Sequence, residues 1–535
     1  MVFDLLITNG KIYDGSGNPW YRSEIGVKDG KIRKIGKIRN HAAKISIDAS
    51  DLVISPGFID IHSHSDRTLL VNGKAESSIR QGITTQLTGN CGSSPAPLIK
   101  GKEKLMLGKG ELLEDIDINW LSFSEYLDKL QNSGVAINVA MNIGQGTLRL
   151  GVMGYEDRRP SKNELEIMKK LIAESMEGGA FGMSVGLNTY PSGYADTDEL
   201  VELCKVVANY GGCYYPHGRG KWEDTVAETI EISERSGVSA HLVHNRPIIH
   251  EFEGDVGEVL KKMDAARERG LDITCDVYPY TWASSGLKGM LPPWVVEGGD
   301  EKIVERLKDP EIRKKVKESM LDPKWALNLG FIARKNTWDK VILLSNNVSE
   351  KYNGKTLLEI AGMMGVKPID AVLDLMIAED NDSSGLPTVQ LVITTELLLM
   401  IFKHNFTMAS SDSSALAPYG ILGGKLVHPR NYGTYPRILG RWVREEKLIT
   451  MEEAIKKMTS LPAQRLGLQD RGLLKEGMCA DITIFDPKTI IDKATFENPL
   501  QYPEGIKYVI VNGQIVIKDG EHMGILPGKV LRHAF

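Results

Sequence analysis

Cysteine is scarce in this chain, with five residues in 535: Cys91, Cys204, Cys213, Cys275 and Cys479. Scattered and odd in number, they argue against a disulfide framework and suit a reducing compartment. Long apolar runs are missing too. Nothing approaches the roughly 18 consecutive apolar residues of a membrane span. The first residues carry no basic n-region, and Asp4, Asn9 and Lys11 break the apolar stretch, so a cytoplasmic protein without a signal peptide is expected. No charge sign dominates: Lys+Arg number 65 and Asp+Glu 70, a net charge of −5. That balance offers nothing to nucleic acid or to an anionic membrane. Gly144-Gln145-Gly146 alone does not make a phosphate loop, and neither a Walker motif nor a serine-hydrolase elbow is expected.

The two ends of the chain share a texture. Residues 3–8 and 25–35 are strand-like, with Asp29-Gly30 at a hairpin position. Residues 480–486 and 507–517 repeat this, with Asn512-Gly513 as the turn. Neither end can bury a core alone, so residues 1–55 and 469–535 are expected to form one composite β-sandwich domain. Between them, strands alternate with helices. Ser161 and Glu164 form a capping box, and helices over about 223–236 and 255–268 stop at Gly237 and Gly270. This pattern predicts an α/β fold, a (β/α)8 TIM-type barrel over residues 56–468. Nine buried strands are candidates (57–62, 83–88, 136–141, 180–185, 212–216, 238–244, 271–277, 389–394 and 406–411) for about eight barrel places. Either 271–277 or 389–394 therefore lies outside the ring. Residues 283–345, with Pro292-Pro293, Gly298-Gly299 and a run of charges, read as an insertion.

Chemistry-bearing residues gather at the ends of these strands. His62 and His64, in Ile61-His62-Ser63-His64, are spaced to face the same way along a strand. Cys91, His217, His244 and Asp412 each stand where an apolar strand stops. In a barrel those C-terminal ends meet on one rim. Singly, each has an ordinary structural reading: a buried thiol, a turn Asp, a polar loop. Together they are a His/Cys/Asp set suited to zinc. Near Gly237, strand parity puts His244 with Val238, Ala240 and Leu242, and His244 is preferred over His241 as a ligand because it lies nearer the rim.

These residues resemble the amidohydrolase superfamily, and within it the N-acyl-D-amino-acid deacylases (D-aminoacylases). The likeness runs nearly end to end. It includes Pro56-Gly57-Phe58-Ile59-Asp60 with His62 and His64, Asn90-Cys91-Gly92 with Pro95-Ala96-Pro97, and Asp276-Val277-Tyr278-Pro279-Tyr280. His428-Pro429-Arg430 with Tyr432-Gly433-Thr434, and Met458-Thr459-Ser460-Leu461-Pro462-Ala463, also match. The resemblance implies a barrel plus a β-sandwich. It implies that Cys91, His217 and His244 hold one zinc ion tightly, and that His62, His64 and Asp412 complete the site or extend it to a second, weaker one. It also implies that Arg430, Arg246, Tyr278 or Tyr280, and Ser284 or Ser285 bind a substrate carboxylate. The chain departs from the family in having Arg246 for the usual Lys, Gly218-Arg219-Gly220-Lys221 for Ile-Arg-Asp-Glu, Gln145 for a common His, and Ser413 for Gly.

The expected activity is zinc-dependent hydrolysis of the amide bond of an N-acyl amino acid. A metal-activated water attacks the carbonyl, and Asp412 carries its proton to the leaving amine. The D-series preference comes from the resemblance alone. A cyclic amidase of the hydantoinase or dihydroorotase type is the first rival. Such enzymes usually carry a metal-bridging Lys on the fourth strand, and residues 181–186 contain none. A non-catalytic metal-binding scaffold is the second, and the complete ligand set counts against it.

Overall fold

The computed structural model describes residues 2–38, 42–107, 116–250, 252–322, 329–344, 348–379 and 386–534. Parts of the expected insertion, 323–328 and 345, fall outside them.

Local turn chemistry shapes both chain ends. Asp29 and Gly30 adopt φ of 53° and 72°, and Asn512 and Gly513 of 49° and 81°. Paired positive φ is what a two-residue hairpin matching strand twist requires. The first turn joins Glu24–Lys28 to Lys31–Gly36, and the second joins Ile506–Val511 to Gln514–Lys518. A four-stranded sheet contains only N-terminal strands. A seven-stranded sheet mixes both ends, with Val53–Pro56 running antiparallel to Ile482–Phe485. One apolar cluster takes Leu5, Ile7 and Ile25 from the first sheet and Ile54, Ile482 and Ile510 from the second.

Among the described residues, eight main parallel strands run through the middle of the chain: β1 (Phe58–Asp60), β2 (Ile83–Thr88), β3 (Asn138–Met141), β4 (Gly182–Gly186), β5 (Cys213–His217), β6 (Ser239–Leu242), β7 (Ile273–Val277) and β8 (Thr407–Ala409). β1 pairs with β2 and β2 with β3; the two-residue strand Ile143–Gly144, just after β3, pairs with β4, and β4 to β8 pair in order. Their side chains are buried on both faces. Ile59, Leu87, Ala140, Phe181, Tyr215 and Met408 fill one cluster, while Phe58, Val139, Met183, Ala240 and Val277 join a second with the helices. That two-sided burial is why these strands read as continuous apolar runs rather than alternating ones.

The helices end as their sequences dictate. Ser161 and Glu164 form the capping box of Lys162–Glu177, and Gly237 at φ 76° caps Trp222–Ser236. The open question of the ninth strand is answered by pairing: β7 sits between β6 and β8, whereas Pro387–Leu391 pairs antiparallel with Trp282–Gly286 and Val341–Leu343. That small sheet packs with helices around a separate core reaching from Leu287 to Leu386. Among the described residues no helix is long and apolar enough to cross a membrane.

Candidate active site

The chain reaches the rim at the ends of β1, β2, β5, β6 and β8. His62 and His64 follow β1, past its last paired residue, with ring centroids 5.3 Å apart. Cys91 follows β2 in a left-handed conformation, φ 51°. His217 closes β5. His244 comes two residues after β6, at φ 33°, and Asp412 follows β8 at φ 49°. A non-glycine residue at positive φ is uncommon and costs of order 1–3 kcal/mol when the region is strained. Three of the six converging side chains have this geometry, and it aims them inward from the strand ends.

For His244 this corrects the parity argument. Ala240 and Leu242 lie in the core shared with the helices, so simple alternation would turn His244 away from the rim. The left-handed turn reverses it. His241, on the opposite parity, is fully buried beneath the site, with Nε2 2.9 Å from Asp276 Oδ2 and Nδ1 2.8 Å from Thr274 Oγ1.

The six side chains form two overlapping groups. Cys91 Sγ lies 3.5 Å from His62 Nε2, 3.3 Å from His217 Nδ1 and 3.7 Å from His244 Nε2. His244 Nε2 and His217 Nδ1 are 2.8 Å apart. Asp412 Oδ1 lies 3.1 Å from His64 Nε2 and 3.5 Å from His62 Nε2. Ligands arranged tetrahedrally around zinc stand roughly 3.5 Å from one another, given Zn–S of about 2.3 Å and Zn–N of about 2.0 Å. The three distances from Cys91 Sγ match that spacing, while the His217–His244 pair stands closer. His62, Cys91 and His244 form one compact trio, and His62, His64 and Asp412 a second, with ligand atoms within 4.8 Å of one another in each.

The electrostatics of the site favour a cation. Burial would suppress the charge on His62, but Asp412, Cys91 and Asp276 outweigh it and hold its pKa up at about 10. Burial pulls His217 down to about 3, leaving it neutral and able to ligate. Asp412 is buried, yet Arg430 and His62 keep it well below the usual carboxylate range. The donor set and its charge therefore fit zinc.

Asp276, on β7, was not among the site residues read from sequence, although its segment carried part of the resemblance. Its Oδ1 accepts the His244 backbone N–H at 2.9 Å and the Ser410 hydroxyl at 2.5 Å, and faces His62 Nδ1 at 3.6 Å. Among the described residues that His62 nitrogen has no hydrogen-bond partner within normal reach. Asp60 plays a similar part below β8, accepting from the Ser411 backbone and hydroxyl and from Gln86. A buried Asp inside an apolar strand is the signal that could have marked both, because such a carboxylate must have partners.

One cavity opens beside these groups. His217, His244, Arg246, Tyr278, Ser284, Ser285 and Asp412 all line it. The guanidinium of Arg246 stacks 4.4 Å from the Tyr278 ring, and that of Arg430 lies 4.8 Å from the same ring. Arg430 also donates to Asp412 Oδ2 at 2.7 Å. It begins the helix Arg430–Arg437, where His428 Nδ1 accepts its backbone N–H at 3.0 Å. Of the two tyrosines, only Tyr278 faces the cavity. Tyr280 turns away, under Arg437 at 4.7 Å and against His428 at 5.1 Å. The Gln145 side chain is held between Glu199 and Ser192.

Although no serine-hydrolase elbow is expected from the sequence, Gly182-Met183-Ser184-Val185-Gly186 does spell Gly-x-Ser-x-Gly. The structure shows no nucleophile elbow there. Ser184 lies inside β4, fully buried, with its hydroxyl taken up by backbone groups.

Comparison with known proteins agrees with this arrangement. Residues 420–517 match the profile of the "Amidohydrolase family". The chain is 33% identical to a D-aminoacylase of Alcaligenes xylosoxydans xylosoxydans over 533 residues, covering 99% of this chain and 97% of that one. A crystal structure of N-acyl-D-glutamate deacylase from Bordetella bronchiseptica, complexed with zinc and a phosphonate mimic of the tetrahedral intermediate, superposes with TM-score 0.82. Its identity is 29%, with all of both chains covered. A D-aminoacylase structure described by its binuclear metal centre, with one-metal activation and second-metal attenuation, also gives 0.82 at 29% identity, over 99% of this chain and 100% of that one. The fold is thus the α/β amidohydrolase fold of the TIM-barrel class. Within it, the chain belongs to the D-aminoacylase family of N-acyl-D-amino-acid deacylases.

Proposed function

We propose that this protein hydrolyses the amide bond of N-acyl-D-amino acids, releasing a carboxylate and the free amino acid, with zinc held by His62, His64, Cys91, His217, His244 and Asp412. The observation that carries the reading is the convergence of a thiol, four imidazoles and a carboxylate beside a cavity lined by the Arg246 guanidinium, with that of Arg430 against the same Tyr278 ring. Zinc bound there supplies Lewis acidity toward the water and the amide carbonyl. The tight site is the sulfur-centred group, and the His62–His64–Asp412 trio offers a second, weaker one.

The remaining work falls to the chain's own groups. Asp412, kept ionised by Arg430, takes the proton of the attacking water and passes it to the departing amine, which cannot leave as an anion. Arg246, which lines the cavity, has no carboxylate paired with it among the described residues, while Arg430, on the same Tyr278 ring, is paired with Asp412, so one positive charge is left in excess beside the cavity. That excess suits the substrate carboxylate, with Ser284 and Ser285 adding hydroxyls from the neighbouring strand. The other walls include Ile248, Phe252, Leu329, Phe331 and Val392, so an apolar amino-acid side chain fits there best.

The same reading takes the eight parallel strands as a closed (β/α)8 barrel. Support comes from the bridge between Ser63 and Ser413 and from the Asp412 backbone N–H bonded to the His62 carbonyl at 2.9 Å. Residues 1–55 and 469–535 then form a β-sandwich, 56–468 the barrel domain, and 283–345 belong to its insertion. Five free cysteines fit a cytoplasmic location.

The test is an assay of purified, zinc-supplemented protein on matched N-acetyl-D- and N-acetyl-L-amino acids, with a hydantoin and dihydroorotate alongside. Selective release of D-amino acids, faster from N-acetyl-D-leucine than from N-acetyl-D-glutamate, is expected. Activity confined to the cyclic substrates or to the L-series would overturn the assignment.

A further inference from the structure

The loop that presents the sulfur ligand is Gly89-Asn90-Cys91-Gly92, and three of its four residues are left-handed, at φ 71°, 51° and 76° for Gly89, Cys91 and Gly92. Such a run does not hold itself. The Ser184 hydroxyl, on β4, donates to the Gly89 carbonyl at 2.7 Å and accepts the Gly92 N–H at 3.0 Å. One buried oxygen therefore fastens the loop on both sides of Cys91. Gly186, two residues on and so on the same face of β4, leaves the space the loop needs. A Cβ there would stand 2.3 Å from the Cys91 carbonyl oxygen.

Other fixings surround the loop but do not replace this one. Asn90 Nδ2 donates to the Ser63 and Leu87 carbonyls, which anchors the loop toward β1 and β2. Thr147 N–H donates to the Gly92 carbonyl at 3.1 Å. Behind them, the Gly186 N–H donates to Ser192 Oγ, whose hydroxyl donates to Gln145 at 2.6 Å, and Gln145 donates to Glu199 at 3.0 Å. Ser184 is the contact that spans the turn.

We infer that Ser184 is a positioning residue for the metal centre: its hydroxyl sets the Gly89–Gly92 turn so that the Cys91 sulfur meets His62, His217 and His244 at ligand spacing. This rests on the metal reading of the site. The Gly-x-Ser-x-Gly spelling on β4 is thereby explained without nucleophilic catalysis, as a serine clamp with a glycine clearance beside it. Outer partners of this kind commonly govern metal affinity by about 10–100-fold when removed.

The test compares the full chain with Ser184→Ala, Ser184→Thr and Ser175→Ala. Ser175 is a buried helix residue whose hydroxyl bonds the Leu171 carbonyl, so its loss controls for a missing buried hydroxyl far from the loop. Each protein is stripped of metal, its melting temperature taken, its zinc affinity measured by chelator competition, and its cobalt(II) form examined for the thiolate-to-cobalt charge-transfer band. Ser184→Ala is expected to bind zinc about 10–100-fold more weakly and to lose much of that band. Its metal-free melting temperature should match that of Ser175→Ala, whose zinc affinity and band stay those of the parent. Ser184→Thr, which keeps the hydroxyl, should recover the band. A Ser184→Ala protein with the parent's affinity and band overturns the inference. So does a Ser184→Ala chain that fails to fold, if Ser184→Thr folds but shows no band. A parent protein without any thiolate–cobalt band would instead overturn the metal reading itself.

Discussion

Arg430 donates to Asp412 Oδ2 at 2.7 Å while Asp412 Oδ1 faces His64 Nε2 at 3.1 Å, so the two oxygens of one buried carboxylate are divided between a guanidinium and a ligand imidazole. Asp412 is thereby fixed in orientation, and its charge is retained in a position from which burial alone would drive it out. The expected consequence is a separation of metal binding from turnover. Asp412→Asn should keep most of its zinc by elemental analysis and lose about 10²–10⁴-fold in kcat, the range general acid–base catalysis supplies. Near-parental turnover would remove Asp412 from the proton-transfer role.

Arg246 should govern substrate affinity rather than the chemical step. A charge-assisted hydrogen bond is worth ~1.5–3 kcal/mol, so Arg246→Ala should raise KM by about 10–150-fold with a smaller change in kcat. The same variant should lose its discrimination between an N-acetyl-D-amino acid and the corresponding neutral amide. Steady-state kinetics on that substrate pair check both statements.

Chelation should abolish activity, and stoichiometric zinc should restore it. Cys91→Ser exchanges a soft ligand for a weak one in nearly the same volume, and zinc affinity should fall roughly tenfold or more. If Cys91→Ser keeps the parent's affinity, the sulfur-centred group is not the tight site.

Lys457 carries a pH dependence of stability. It is buried beneath β8, donating to the carbonyls of His404 and Thr407, and burial lowers its pKa from 10.5 to about 8. Between pH 8 and 10.5 the unfolded chain therefore binds more protons at this residue than the folded one, so its contribution to stability rises with pH across that window. Urea unfolding at pH 7.5 and 10 should show the parent gaining stability relative to Lys457→Met. A difference that does not change with pH would show that Lys457 keeps an ordinary pKa in the fold.

Much of this molecule is legible in its residue order, for identifiable reasons. Asp29-Gly30 and Asn512-Gly513 mark hairpins because few other pairs accept positive φ twice. His62 and His64 stand out because two imidazoles near a strand end are rare among apolar neighbours. Other features depend on the folded backbone. The left-handed turns at His244 and Asp412 have no glycine to mark them, and that at His244 inverts the face strand parity assigns. The place of 387–391 depended on pairing with 282–286, which apolar content cannot reveal. Tyr278 and Tyr280 are two residues apart and chemically alike, yet one faces the cavity and the other packs under Arg437. Ser184 hides because a serine in a buried strand looks like an ordinary small residue until its neighbours are known.

The seven-stranded sheet imposes an order of events on synthesis. Val53–Pro56 has a C-terminal partner, Ile482–Phe485, that the ribosome makes more than four hundred residues later. At about 5–20 residues per second, that edge waits roughly 20–90 s with its backbone groups unpaired. During this interval the nascent chain presents a sticky strand to every other unfinished copy on the same message. Fast elongation, or a chaperone that covers the first fifty residues, should therefore do more for the yield of this protein than any substitution near its metal site.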